Sequence, residues 1–380
     1  MAATWSGLQR QFSTQDLLDL QTWHNLAWFG YGTVSRYPRL AALRAKNRGF
    51  TEEEKQDVLA LQLATVQDIV PLYRRLMERE QIELSDDPFF HPILPLVIDT
   101  DFTRRARPDL PLPSRFHAPE DAEAQLQRAV EFHTTTFGRS PVGLWPSEGS
   151  VCPELIPMLP KVGLRWLATD EGILARSLDA AQQPWQRHRD LYQPYRVGSE
   201  DQDVTMLFRD REISDAFGFV YHKTTPEMAA EDVLRRLRQI IHDTPQEQVT
   251  IAIVLDGENP WEHYHEGGEQ FLSLLYKACS TGALDNDTVR TTTATISEAL
   301  ASRASHSAGQ PPPFGLLDQP GLQDLDRPPG GQSGMGPGES YAIPSRRNFC
   351  HAPLGSRASR LGRTLCRRRQ RLVLVVWGRL

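Results

Sequence analysis

The sequence predicts an α/β protein built on a parallel sheet, either a barrel or an open sheet. Three observations predict it. Amphipathic helical patterns alternate with short apolar runs. The runs are apolar throughout, which suits strands buried on both faces beneath covering helices. They stop abruptly at acid-bearing segments, and in parallel α/β folds the residues past the carboxyl ends of the strands form the active site.

In chain order, Thr51 with Glu54 three residues later reads as a capping box. Leu59, Leu63, Val66, Val70, Tyr73 and Met77 then recur at helical spacing, which predicts an amphipathic helix. Further helices are expected from about Glu120 to Phe137, with Pro119 at the start, and from about Pro226 to His242, with a stripe of Val233, Leu234, Leu237, Ile240 and Ile241. The apolar runs Ile93 to Ile98, Val142 to Trp145, Leu164 to Ala168, Val204 to Phe208 and Val249 to Leu255 are the expected strands. A split falls near residue 300: Ala301 to Leu380 carries 12 Arg and no Lys against four acids, and 15 of the 30 residues from Gly309 to Gly338 are Gly or Pro. Such a stretch tolerates neither helix nor central strand. Residues 1–300 therefore read as the folded domain and residues 301–380 as a disordered tail.

Composition narrows the function classes. A chain of 380 residues with 39% hydrophobic and 24% charged residues has material for a sizeable core. Its net charge of −6 argues against a binder of nucleic-acid phosphates. No stretch approaches the roughly 18 consecutive apolar residues of a membrane helix, and Met1 opens no basic and apolar leader. The expectation is a soluble, cytoplasmic protein without nucleic-acid or membrane partners. Four cysteines form neither a zinc knuckle nor a disulfide framework.

Three strand ends carry acids. Val249 to Leu255 stops at Asp256-Gly257-Glu258-Asn259-Pro260-Trp261, Val142 to Trp145 stops at Pro146-Ser147-Glu148-Gly149, and Leu164 to Ala168 stops at Thr169-Asp170-Glu171-Gly172. Carboxylates beside Trp145, Trp166 and Trp261 suit a sugar, which presents flat and partly apolar faces. Glycoside hydrolysis with retention needs two carboxyl groups about 5 to 5.5 Å apart, one as nucleophile and one as acid and then base. Glu148 and Asp256 are the candidate pair. Each acid also fits a turn or helix-cap role, and Trp145 and Trp261 suit core packing as well as sugar stacking. His263 and His265 beside Glu258 and Glu262 raise a metal site, ranked lower because no third well-spaced His or Cys joins them. His91 suits either a core histidine bonded to backbone or a substrate contact.

Pro88-Phe-Phe-His-Pro-Ile-Leu-Pro95, Gly143-Leu-Trp-Pro-Ser-Glu-Gly-Ser150 and Val254-Leu-Asp-Gly-Glu-Asn-Pro-Trp-Glu-His263, three separated motifs in order along the chain, together resemble glycoside hydrolase family 57, in its amylopullulanase-like branch. The resemblance runs from about Phe12 to Leu300. It implies an incomplete (β/α)7 barrel acting on α-glucans or maltooligosaccharides with retention of configuration and without a cofactor or metal. Position by position, it implies Glu148 as nucleophile and Asp256 as general acid and base, the latter kept protonated by burial or by a neighbour such as Glu258. Glu83 matches the acid of the family's second motif, with His91 as a sugar contact, and Asp170, Glu258, Trp145 and Trp261 complete the substrate-binding set. Glu80 stands where the family usually has Gly, which puts the local turn in doubt.

The family's first motif, His-Gln-Pro, is absent, so the chain is expected to be truncated at its start. The fifth, aromatic-rich motif is absent too. Permitted codons for Gly315 to Gly338, read one nucleotide later, spell GSWINQGFKIWIGHPEDNRAWDRV, which resembles that motif. A frameshift between about Leu300 and Gly315 follows, with an out-of-frame tail in which Leu372 to Trp377 is no anchor. The alternative for the tail is a genuine linker with a basic terminus. Alternatives for the function are a catalytically impaired carbohydrate-binding remnant, a 4-α-glucanotransferase, or a metal-dependent hydrolase.

Overall fold

The computed structural model describes residues 12–199, 202–257, 260–286, 289–304 and, as backbone, 370–378. The remaining residues, including the Gly/Pro-rich stretch and the shifted-frame segment, lie outside the described residues.

The chain opens with helices. Helix α1 (Thr14–Leu26) begins at a capping box between Ser13 and Asp16, and α2 (Glu52–Glu78) begins at the expected one between Thr51 and Glu54. Two short helices, Tyr31–Arg36 and Pro38–Lys46, lie between them. Leu26, Phe29, Leu40, Leu43, Phe50 and Val58 form the core of this unit. The spacing predicted α2 but misjudged its buried face: Leu59, Leu63 and Val66 are exposed, and the helix buries Val58 and Met77. The helix ends in a Schellman arrangement. Gln81 N–H donates to Leu76 O and Glu80 N–H to Met77 O, with Glu80 at φ 56°. The turn that Gly normally makes is thus kept, with the strain of a side chain in the left-handed region.

The sheet follows. Strands β1 (Gly143–Leu144), β2 (Trp166–Asp170), β4 (Gln202–Arg209), β5 (Gln248–Leu255), β6 (Val289–Thr293) and β7 (Gln370–Gly378) lie in the order β1-β2-β4-β5-β7-β6, all neighbours parallel. Strand β3 (Tyr195–Ser199) pairs antiparallel with β4. Helices α3 (Pro119–Phe137), α4 (Glu171–Ala180), α5 (Pro226–Asp243) and α6 (Glu269–Ser280) connect and cover it, and α7 (Ile296–Ala304) follows β6. Strands β1, β2 and β5 are buried on both faces, as the continuous apolar runs require. Leu167, Met206, Phe208, Ile251 and Ile253 point into the large core, whereas Trp166, Ala168 and Leu207 alternate to the opposite face, where Ile296 and Ala299 of α7 meet them.

Two expectations change here. The run Ile93 to Ile98 is a helix, Leu94–Ile98, because Pro95 sits in the first turn, where its fixed φ and missing N–H favour a helix start over a ladder. Gln370–Gly378, read from the sequence as part of a tail outside the domain, is a strand paired over Arg371–Gly378 with β5 and over five residues with β6. The run Leu372 to Val376 is apolar and largely β-branched, which suits that interior position.

Candidate active site

The loop after β1 carries Glu148. Gly143 faces Trp166 across the β1–β2 pair, and a Cβ there would lie 1.9 Å from the indole, so only glycine lets this strand pass beneath that ring. Trp145, half-buried, packs on the small inner cluster around Trp166. The chain then turns sharply: Ser147 is buried, Glu148 sits at φ 56° and ψ 20°, and Gly149 O accepts from Thr169 Oγ1 at 2.5 Å. A non-glycine residue in the left-handed region costs about 1–2 kcal/mol, and strain held at an exposed carboxylate is a functional signal. The Glu148 side chain is 55% exposed.

A second segment is docked against this loop. Asp86 pairs with Leu144 as an isolated bridge, its N–H donating to Gly143 O and its carbonyl accepting from Trp145 N–H, both at 2.9 Å. Five residues on, His91 also adopts φ 56°. Its Nε2 lies 3.3 Å from Glu148 Oε1 and its Nδ1 lies 3.0 Å from Asp87 Oδ2 and 3.1 Å from Ser147 Oγ. His91, expected as either a core histidine or a substrate contact, is therefore part of the Glu148 site. Asp87 and Ser147 were not singled out from the sequence. The signal for Asp87 was its place four residues before His91; Ser147 offered none beyond adjacency.

The other strand-end acids fare differently. Asp256 lies just past β5 and is exposed, so burial does not keep its carboxyl dry; Glu258 lies outside the described residues. Trp261 packs on the main core, 5.2 Å from the Tyr264 ring and close enough to Gly268 that a Cβ there would come within 2.6 Å of it. Asp170 is the last residue of β2, buried, and ion-paired with Arg209 and Arg211 while its side chain caps α4 at Gly172 N–H. Burial alone would push this carboxyl up, but Arg211 and Arg209 outweigh it and hold it below the usual carboxylate range. Beside it, Arg187 bridges Glu171 at 2.6 Å and Asp210 at 2.8 Å, and Asp210 also accepts from Tyr192 OH. Arg209 further donates to Val254 O at 3.1 Å, tying β4 to β5 two residues before Asp256. The structure thus gives Asp170 a bracing position within an ion network. Glu83 accepts from the Trp166 indole N–H at 3.1 Å and from Ser297 N–H and Oγ–H at the start of α7. Among the described residues no three His, Cys, Asp or Glu side chains converge as metal ligands; His263 instead lies beside His222, ring centroids 5.5 Å apart.

The sequence matches Glycosyl hydrolase family 57 over residues 8–308. This chain belongs to that family. The family 57 chain shares its fold with an α-amylase, AmyC, from Thermotoga maritima at TM-score 0.52 and 14% identity, covering 81% of this chain and 63% of that one. A GH57-type branching enzyme from Pyrococcus horikoshii matches at TM-score 0.46 and 16% identity, over 80% of this chain and 57% of that one. A 4-alpha-glucanotransferase from Thermococcus litoralis matches at 0.45 and 19%, over 64% and 32%. The chain spans less than two thirds of each of these structures. No curated protein matches the sequence. The parallel sheet with covering helices is the incomplete (β/α)7-type architecture of the family, and no helix among the described residues is long and apolar enough to cross a membrane.

Proposed function

We propose that this family 57 protein is a retaining glycoside hydrolase of α-glucans, with Glu148 as nucleophile and Asp256 as general acid and base. The observation that carries the reading is the Glu148 carboxylate: exposed, held in a strained turn at a strand end, and contacted by His91 at 3.3 Å. α-Glucan is the substrate class implied by the motifs around Glu148 and Asp256, and α-amylase is the activity named for the Thermotoga protein of the same fold.

In this reading the Glu148 carboxylate attacks the anomeric carbon while Asp256 gives its proton to the departing glycosidic oxygen. The glycosyl ester that results is opened by water, whose proton returns to Asp256, and the sugar leaves with its original configuration. Asp256 is exposed just past the end of β5, where an incoming sugar can reach its carboxyl. Glu83, His91, Asp170, Glu258, Trp145 and Trp261 are the proposed surroundings of the sugar; the half-buried Trp145 has ring surface left to offer it, whereas Asp170 would act through its arginines.

Release of reducing sugar from maltooligosaccharide, followed by NMR of the first-formed anomer, tests this. The α-anomer first, and a fall on the order of a thousandfold or more in Glu148→Gln, are expected. Turnover undiminished by Glu148→Gln, or β-anomer first, would refute it. Longer glucans formed without net hydrolysis would assign transfer, and binding without turnover would assign a remnant.

A further inference from the structure

We propose that Asp87 is a positioning residue for the nucleophile, acting through His91. The proposal rests on the reading of Glu148 as nucleophile. Asp87 stands in a register-locked place: the neighbouring Asp86 exchanges backbone hydrogen bonds with Gly143 and Trp145, and Asp87 N–H donates to Asp86 Oδ1 at 3.0 Å. The segment is therefore fixed to the strand that carries Glu148. The chain then folds back, with His91 N–H donating to Pro88 O at 2.7 Å and His91 in the left-handed region, which returns its ring to Asp87.

The ring now lies between two carboxylates. Nδ1 faces Asp87 Oδ2 at 3.0 Å, with Ser147 Oγ at 3.1 Å, and Nε2 faces Glu148 Oε1 at 3.3 Å. An imidazole turned by half a rotation about Cβ–Cγ exchanges nitrogens for carbons. A carboxylate at Nδ1 selects one orientation of the ring, and Nε2 then holds the Glu148 carboxylate by donating its N–H, since a carboxylate oxygen only accepts. Asp87 thus sets where Nε2 points, and Nε2 holds one oxygen of Glu148. Restricting that carboxylate before sugar arrives shortens the approach to the attack geometry.

The test is a double-mutant cycle on the full chain with Asp87→Asn, His91→Gln and the pair, beside wild type and Glu148→Gln, on maltooligosaccharide. Asp87→Asn is expected to lower kcat about tenfold or more with KM changed by less than about threefold, and the pair is expected to be no slower than His91→Gln alone. Nitrogen NMR of histidine-labelled protein, with His91 identified by its loss in His91→Gln, is expected to show changed ring-nitrogen signals for His91 in Asp87→Asn. An unchanged kcat, additive losses, or an unaltered His91 signal would overturn the proposal. If wild type turns over no sugar, the reading of Glu148 fails, and the NMR still decides whether Asp87 sets the ring. Should Asp87→Asn not fold, Asp87→Ser takes its place in the same measurements.

Discussion

Two acids stand at the ends of neighbouring strands and have opposite surroundings. Glu148, after β1, is exposed, lies in a strained turn and meets a histidine; Asp170, closing β2, is buried, caps a helix and is held by two arginines. Both follow apolar runs, both lie near Trp, and both precede Gly or a Glu-Gly pair. The difference teaches that an acid at a strand end is a candidate by position, and that its surroundings separate the proposed nucleophile from a brace. Backbone strain at an exposed carboxylate marks the first; saturated ion pairing marks the second.

The largest expected effect is on the brace. Asp170→Asn leaves Arg209 and Arg211 without their buried partner, so a loss of about 3–5 kcal/mol is expected in urea unfolding, whereas Glu148→Gln is expected to change stability by less than about 0.5 kcal/mol. Reversal of that order would break the contrast. The pH dependence sharpens it. Asp170 is held below its ordinary value of about 3.9, so its stabilisation is complete above that value and is lost as pH falls through the folded value. The deficit of Asp170→Asn relative to wild type is expected to shrink as pH is lowered from about 5 to about 2, and a deficit constant with pH would contradict the pairing.

Gly143→Ala acts on both acids, because the added methyl collides with Trp166, which lies on β2 and is bonded to Glu83. A loss of about 1–3 kcal/mol is expected in thermal unfolding, with reduced sugar release from the displaced Glu148 loop. Smallest is Glu80→Gly. This strained turn is remote in sequence from Glu148 and closes a helix, so relief of the left-handed side chain is expected to stabilise the protein by about 1 kcal/mol with kcat unchanged. A drop in kcat would show that strain at Glu80 is tied to the site.

How much of this was legible in the sequence follows the same division. The runs around Leu167, Phe208 and Ile253 announced a sheet buried on both faces, and Thr51 with Glu54 fixed the start of α2, because capping and continuous apolarity are local. The buried face of α2 was not legible: an apolar stripe at helical spacing says that a helix forms, but not which residues meet a partner, and Leu63 and Val66 face outward. Leu94–Ile98 escaped because a five-residue apolar run suits strand and helix alike until Pro95 is weighed. At the site, position and motif singled out Glu148 and His91. Asp87 and Ser147 were hidden because their part depends on a docking between segments more than 50 residues apart. Asp170 could be named as an acid, but its two arginines come from β4 and from the short helix Arg211–Asp215 that follows it.

The most direct measurement is the mass of the peptide carrying Glu148 after reaction of the full chain with a 5-fluoro-α-glucosyl fluoride, whose ring fluorine slows breakdown of the glycosyl ester. One added fluoroglucosyl group on that peptide, absent in Glu148→Gln, is predicted. A label on another residue, or maltooligosaccharide turnover that leaves Glu148 unlabelled, would contradict Glu148 as the nucleophile.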